Sequence, residues 1–367
     1  MSQAPGAIRD PIIQHLAALR TDASVREIEV AVKRQLGDVS SSSIRSYLNI
    51  NTPGTFERVS RGRYRLAGSD APVQSTIPPS FKAGKATMWN ADCFAWLRAA
   101  SANSVEAVLT DPPYGLVEYT QVEKDKLRAG KGGGVWRVPP SIGGHTRSPL
   151  PRFTTLTEAD RQNMHTFFRE FATLLSRVVV PGGNVVVAAN PLLAHIVASA
   201  MSEGGLEMRG IITRLVMTMR GGDRPKNAHV EFADVSVMPR SQSEPWIVLR
   251  RPLDGRVQDN LRKWKTGGFR RISDDQPFGD VIRSRPTSAA EKKLAPHPSL
   301  KPQALLRELA RACLPLGKGT ILDPFAGSGS TLAACNAVGY KSVGVEMDEE
   351  FFRLAEASIP ALTKLKV

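Results

Sequence analysis

Two short strings carry reactive or ligand-binding residue types at useful spacings: DPPYG at 111–115 and DPFAGSGST at 323–331. In the first, a carboxylate is followed by two prolines and an aromatic ring. Proline fixes its own φ, restricts the residue before it and donates no hydrogen bond, so the Pro112 carbonyl is held in one direction beside Asp111, with Pro113 stiffening the turn. Two fixed acceptors side by side suit the two hydrogens of an NH2 group. An exocyclic amine on a heteroaromatic base is a poor nucleophile because its lone pair is delocalised into the ring. Acceptors that draw the nitrogen towards tetrahedral geometry, in line with an electrophile, would activate it. Asp111 would also stabilise the positive charge developing on that nitrogen. Tyr114 offers a face on which a base swung out of a duplex could stack. An isolated Asp-Pro-Pro is most simply a strand-terminating turn. Four fitting residues after the buried-strand pattern VEAVLT (105–110) favour chemistry.

The second string leaves a strand, turns on Gly327 and Gly329, and starts a helix near Ser330. Glycines let the backbone approach a ligand, and a helix start offers unpaired N–H groups to its polar atoms. Glu346 ends the following strand, a little over twenty residues after Asp323, where nucleoside-binding α/β folds place a carboxylate for ribose hydroxyls. There is no GxxxxGK[ST] string, which argues against nucleoside triphosphate hydrolysis. Just upstream, HPSLKPQALL (297–306) places Pro302 in the first turn of a helix, and Ser299 and Lys301 could reach the carboxylate end of an amino-acid-like ligand. Cys93, Cys313 and Cys335 are too far apart for a disulfide framework or a metal knuckle, so no metal site is expected and each reads as a core residue.

The elements that must position these residues fall into two groups. Residues 8–67 read as a small domain of three helices and a hairpin, the winged-helix order. Ile12, Ile13, Leu16 and Leu19 mark one helix; Ile28, Val32 and Leu36 mark a second between a Ser24 cap and Gly37; Ile44, Tyr47 and Leu48 mark a third. Strands at 56–60 and 63–66 flank the turn Arg61-Gly62. Arg45, Arg61 and Arg63 would face phosphates; a partner-binding module is the alternative. Residues 68–84 read as a Pro/Ser/Gly-rich linker, and 85–367 as an α/β domain. Within it, 116–152 is glycine-rich and too long for a connector, so it reads as a mobile functional loop. A helix over 158–178 is ended by Pro181-Gly182-Gly183 before a strand at 185–189. The net charge of +14 on 367 residues favours a polyanionic partner. The start MSQAPGAIRD has no leader pattern and no run approaches the length of a membrane span, so the cytoplasm is the expected compartment.

With these strings in hand, residues 86–358 resemble the β-class amino-methyltransferases of DNA, in which the target-chemistry motif precedes the cofactor motif. DPPYG matches the catalytic motif, FFREFATLLSRVVVPGGNVVV (167–187) the helix, turn and strand that follow, and HPSLKPQ (297–303), ILDPFAGSGST (321–331) and VGVEMDEEFF (343–352) the cofactor motifs. NADCFAWL (90–97) matches the segment whose acid approaches the cofactor adenine, with Asn90-Ala91 standing where a glycine usually precedes that acid. The resemblance implies a Rossmann-like S-adenosylmethionine-dependent methyltransferase sheet, circularly reordered and mostly parallel with one antiparallel strand. It also implies an S-adenosyl-L-methionine site lined by Asp92, His297, Ser299, Lys301, Asp323, Phe325, Gly327, Ser330, Thr331 and Glu346. Aspartate at the first motif position implies N6 of adenine in duplex DNA. Cytosine N4, an RNA substrate and a DNA-binding regulator with a vestigial fold are the alternatives. The basic segment 250–295 corresponds to the target-recognition region, with Asn260, Arg262, Lys263, Lys265, Arg270 and Arg271 as DNA contacts. A homodimer, a nucleoid-associated location and a cognate restriction endonuclease also follow from the resemblance.

Overall fold

The computed structural model describes residues 8–19, 22–37, 39, 41–52, 55–60, 62–67, 79–113, 141–142, 145–146, 158–216, 222, 224–225, 227–297 and 299–367. The chain divides into two compact units, Met1–Pro78 and Pro79–Val367.

The first unit runs α1 (Arg9–Leu19), β1 (Ala23–Ser24), α2 (Val25–Leu36), α3 (Ser41–Ile50), β2 (Phe56–Ser60) and β3 (Arg63–Leu66). Ser24 starts α2 with a capping box: its hydroxyl accepts from Glu27 N–H, and the Glu27 carboxylate accepts from Ser24 N–H. Gly37, at φ 77°, closes the helix. The apolar stripes of the helices meet Phe56 and Tyr64 of the hairpin in one core around Ile12, Ile28, Val32, Ile44 and Leu48. β3 pairs antiparallel with both β2 and the two-residue β1. Arg45 is paired with Glu29 at 2.9 Å, and Arg63 with Asp22. Arg61 lies outside the described residues.

The second unit is a nine-stranded sheet between helices. Its elements are β4 (Ser80–Ala83), β5 (Ala86–Asn90), α4 (Cys93–Ala99), β6 (Val105–Thr110), the short pair β7 (Ser141–Ile142) and β8 (His145–Thr146), α5 (Glu158–Val178), β9 (Val179–Ala188), α6 (Ala194–Glu203), β10 (Glu207–Leu215), β11 (Ser243–Arg250), α7 (Val257–Trp264), β12 (Val281–Arg283), α8 (Ala289–Leu294), α9 (Gln303–Cys313), β13 (Thr320–Asp323), α10 (Ser330–Ala337), β14 (Lys341–Glu346) and α11 (Glu349–Lys364). The strand order is β12-β10-β11-β9-β6-β13-β14-β5-β4; among the described residues β7 and β8 pair only with each other. Successive residues of the central strands serve opposite faces, as the pleat requires. Val108, Val185 and Val187 pack under α4, α5 and α6, whereas Leu109, Val186 and Ala188 pack under α9 and α10. Met88 lies with α11 in a third cluster.

Four sequence expectations need correction. The sheet has two antiparallel strands, not one: β11 between β9 and β10, and β4 at the edge. Residues 80–83, read as linker, are that edge strand; β4 turns back into β5 through Gly84 at φ 64°, and Phe81 packs on Phe352. Pro181-Gly182-Gly183 does not end the helix. α5 stops at Val178, β9 begins at once, and the Pro-Gly-Gly forms an irregularity in its pairing with β6, where the register jumps between Val105 and Ala107. A Cβ at Gly183 would lie 2.7 Å from the Glu106 carbonyl, so the close approach needs glycine. Finally, 250–295, read from its basic residues without assigned elements, contains α7, β12 and α8. The loop expected at 116–152 lies outside the described residues apart from β7 and β8. Among the described residues no helix is long and apolar enough to cross a membrane, and no acidic, histidine and cysteine side chains cluster as a metal site. All three cysteines are buried; burial pushes the Cys313 thiol up to about 12.

Candidate active site

β6, β13, β14 and β5 are parallel neighbours in register: Leu322 faces Val108 and Val343, and Glu346 faces Asn90. Their carboxyl ends therefore deliver Asp111, Asp323, Glu346 and Asp92 along one edge of the sheet, the edge at which open α/β folds bind ligands. The two strings that are 212 residues apart in the chain meet here.

Asp323 is the hinge between them. It is 3% exposed, and its Oδ1 accepts from the Thr110 hydroxyl at 2.7 Å and the Phe325 N–H at 3.1 Å. Burial pushes its carboxyl up to about 6, the nearby Asp111 charge adds to the rise, and the hydrogen bonds from Thr331, Thr110 and Phe325 only partly oppose it. The glycine turn is fixed by Glu346, whose Oε2 accepts from Gly327 N–H and Oε1 from Asp348 N–H, each at 2.8 Å; burial raises the Glu346 carboxyl above its usual value. Gly327 (φ 51°) and Gly329 (φ 80°) both occupy the left-handed region, and Gly329 caps α10, whose first turn holds Ser330 and the buried Thr331. The buried Gln303 side chain donates to the Ser330 carbonyl at 2.9 Å.

His297 covers this turn. Its ring meets Phe351 edge-on at 4.3 Å, its Nδ1 accepts from Ser299 N–H at 3.2 Å, and a Cβ on Gly327 would sit 2.9 Å from its Nε2. Burial, helped by the Lys301 charge, lowers its basicity against the opposing pull of Asp111 and Asp348. Phe325 joins a shelf of rings with Phe171 at 5.4 Å and Phe167 at 6.2 Å. Asp92 caps α4 through Ala95 N–H at 2.9 Å. The Ser299 side chain is on the surface.

Lys301 does something the sequence did not suggest. Its Nζ donates to Asp111 Oδ2 at 2.8 Å and to Glu244 Oε1 at 2.9 Å, so it reaches the catalytic string instead of projecting at a ligand carboxylate. Burial alone would lower its basicity, but the two carboxylates outweigh that and raise it. Glu244 in turn accepts from Arg214 at 2.9 Å and from the Trp246 indole at 3.3 Å. Burial would raise the Glu244 carboxyl; Lys301 and Arg214 together hold it below its usual value. Glu244 and Arg214 were missed in sequence, although a charged residue in each of the apolar runs IITRL and SEPWIVL was a usable signal. Pro112 is buried and Pro113 exposed beyond Asp111. Tyr114 lies outside the described residues.

The DNA-contact candidates on 260–271 do not gather at this edge. Asn260 is fully buried: its Nδ2 donates to the Pro181 and Thr266 carbonyls at 3.0 and 2.8 Å, and its Oδ1 accepts from Asp254 N–H at 2.9 Å. It is a structural bracket, not a surface contact. Because Pro181 lies near the start of β9 and Val187 pairs with Thr110, α7 docks roughly 20 Å from Asp111 at about 3.3 Å per strand residue. Arg262 and Lys263 are exposed and paired with Asp259 and Asp254. Lys265 is exposed, with its Nζ donating to the Arg262 carbonyl at 2.5 Å. Arg270 is half-buried against the Tyr340 hydroxyl at 2.6 Å, and the exposed Arg271 donates to the Asp274 carbonyl at 3.1 Å. Arg283 and Arg285 instead follow the carboxyl end of β10, through the pairing of Leu215 with Arg283, and are exposed on the Asp111 edge.

Comparison with known proteins matches residues 105–357 to the N6_N4_Mtase family model, described as DNA methylase. Similar curated proteins include the Type II methyltransferase M2.DpnII of Streptococcus pneumoniae, 22% identical over 283 residues, covering 77% of this chain and 92% of that protein. Another is the Type II methyltransferase M.HindIII of Haemophilus influenzae, 22% identical over 291 residues, covering 73% and 93%. Among solved structures, the M1.HpyAVI–SAM complex aligns with TM-score 0.47 at 18% identity over 75% of this chain and 98% of that one. The cytosine-N4-specific PvuII DNA methyltransferase aligns with TM-score 0.47 at 14% identity over 77% and 86%.

Proposed function

The chain belongs to the N6_N4_Mtase family of DNA methylases, and on that premise we propose that it methylates the N6 amino group of an adenine in duplex DNA, with S-adenosyl-L-methionine as the donor. The observation that carries this reading is the junction of Asp111 and Asp323 at the ends of adjacent parallel strands, bridged by the Thr110 hydroxyl.

The residues at that edge fit the donor. It is a nucleoside joined to an amino acid through a cationic sulfonium, and it supplies an electrophilic methyl group when bound. Glu346, already fixed by two backbone N–H groups, has lone pairs left for ribose hydroxyls. The left-handed turn at Gly327 and Gly329 admits a close backbone approach. The buried Asp323 and the part-buried Asp111 favour a cation beside them. Phe325 and its ring shelf offer an apolar wall, Ser330 and Thr331 follow the turn at the start of α10, and Asp92 and Ser299 are assigned to the same donor site.

On the substrate side, Asp111 and the Pro112 carbonyl accept the two hydrogens of the target amine. The Asp111 charge offsets the positive charge that grows on nitrogen during transfer. Tyr114 is assigned the stacking role. Aspartate at the first position supports adenine; cytosine N4 is the second reading. Arg283 and Arg285 are assigned phosphate contacts on the catalytic edge, and Arg45, Arg61 and Arg63 the same role on the N-terminal unit, which we read as winged-helix-like. We read the protein as cytoplasmic and nucleoid-associated, as a homodimer, and as the methylating half of a restriction system.

The test is transfer of tritium from labelled donor to duplex DNA, followed by digestion to nucleosides and identification of the labelled one by mass. N6-methyl-2′-deoxyadenosine is expected. Asp111→Ala should abolish transfer while donor binding, measured by calorimetry, persists. Turnover by that variant would refute the assignment.

A further inference from the structure

The largely apolar strand β11 carries one acid, Glu244, and the structure gives that acid several partners leading to the catalytic string. We propose that Glu244 is a positioning residue for Asp111, acting through Lys301, and that Arg214 and Trp246 anchor it. This deepens the reading of Asp111 as the acceptor of the target amine and rests on it.

The chain of charges alternates: Arg214, Glu244, Lys301, Asp111. Its contacts are all short, at 2.9, 2.9 and 2.8 Å in that order. It is also sheltered, with the Arg214 side chain 7% exposed and that of Lys301 16%. In such surroundings an unpaired charge is costly, whereas an alternating row neutralises itself. Each member is held from behind. Arg214 also donates to the Arg285 carbonyl at 3.1 Å. The Trp246 indole, on a ring only 1% exposed, grips the same Glu244 oxygen that Arg214 does. Lys301 stands one residue before the buried Pro302 that caps α9, and the Leu300 carbonyl accepts from the Thr287 hydroxyl at 2.6 Å.

The consequence for Asp111 is geometric first. A lysine with a single carboxylate partner can swing its ammonium about that partner. A second, rigid carboxylate fixes the Nζ in space and with it the Asp111 oxygen it touches. A carboxylate that must accept an amine hydrogen in line with an electrophile needs that fixity, because misplacement by an ångström costs about 100-fold in rate. The second consequence is electrostatic. Glu244 shares the Lys301 ammonium, so the Asp111 charge is not fully offset and Asp111 remains a strong acceptor. A salt bridge serving only the fold would have been complete at Arg214 and Glu244. The groups facing this row are Asp111 from β6, Glu244 from β11, Arg214 from β10 and His297 from the segment before α9, with Asp323 of β13 beyond Asp111.

The experiment compares the full-length protein with Glu244→Gln and Glu244→Ala in single-turnover methyl transfer at saturating donor and DNA, across pH. Glu244→Ala should lower the transfer rate by about 100-fold while the donor Kd, from calorimetry, changes less than about twofold. Glu244→Gln keeps a hydrogen-bond acceptor but loses the charge. It should recover part of the rate and move the alkaline limb of the rate profile to lower pH, because Lys301 then has one carboxylate supporting its proton in place of two. Loss of rate and thermal stability together, with the alkaline limb unmoved, would overturn the proposal, as would wild-type rates in both variants. Carbon-13 NMR of the Lys301 Cε reads the same coupling without turnover. A lower titration midpoint in Glu244→Gln is expected, and an unchanged midpoint overturns the proposal even if the wild-type protein transfers no methyl group. That last result on its own would instead refute the functional reading.

Discussion

The carboxyl of Asp323 offers a quantitative check on how the site is built. Burial pushes it from 3.8 up to about 6, a rise of about two units. At 1.36 kcal/mol per unit this corresponds to about 3 kcal/mol between the two protonation states. The sign follows from proton linkage. The native state binds this proton more tightly than the unfolded chain, so between pH 4 and 6 the native state carries more protons and stability falls as pH rises. Above pH 6 the ionised carboxylate costs the ligand-free protein about 3 kcal/mol, worth roughly 6–12 °C in Tm for a unit of this size.

Asp323→Asn keeps the shape and the oxygen that accepts from Thr110 and Phe325 but cannot ionise. Urea unfolding of the two proteins from pH 4 to 7.5, followed by ellipticity, isolates the effect, because every other titrating group is shared. The stability of the wild type relative to the variant should fall by about 3 kcal/mol across the window, most of it between pH 4 and 6. Parallel curves would refute the reasoning. A ligand bearing positive charge next to Asp323 should flatten the wild-type slope, since the cation supports the ionised form that burial opposes.

Two further outcomes follow from the same geometry. Gly327→Ala combines a left-handed φ of 51° with a Cβ 2.9 Å from His297 Nε2, so calorimetry should show donor binding weakened by about tenfold or more, the equivalent of the 1–2 kcal/mol left-handed penalty; undiminished affinity would mean that the turn can relax. Arg283→Ala with Arg285→Ala should reduce the slope of log DNA affinity against log salt by up to about two, near one per phosphate contact. The triple change at Arg262, Lys263 and Lys265 should leave that slope nearly intact, and the reverse ranking would place the duplex on the opposite edge.

What the sequence made legible was local. DPPYG and DPFAGSGST each hold their chemistry within nine residues, and the strands and helices around them, β6, α5, α9, β13 and β14, carry clear apolar periods. The sheet edge that joins the strings followed from adjacent parallel strands. Glu244 and Arg214 were harder because their partners are 57 and 30 residues away, and no short-range pattern encodes such a pairing. Asn260 misled for a different reason. It sits among charged residues, yet Val257, Leu261 and Trp264 share its side of α7 at helical spacing, so the period marked it as inward-facing. Composition outweighed period in the reading of that segment, and the structure sides with period. The Pro-Gly-Gly of β9 misled because its usual meaning, a chain break, is overridden by burial within the sheet centre.

The distribution of charge also constrains how a nucleic acid can approach. The chain as a whole is strongly basic at +14, yet the carboxyl edge of the sheet concentrates Asp92, Asp111, Asp323, Glu244 and Glu346, with Lys301 and Arg214 committed to two of those acids. Phosphates laid directly over this edge would meet carboxylates at close range, where the repulsion is least screened. In the proposed function the site takes a cationic ligand within and a neutral base from outside, with the backbone that carries the base on exposed cations such as Arg283 and Arg285. Extrusion of the nucleotide, as in the proposed function, would let the base reach this edge while its phosphates stay away from the carboxylates.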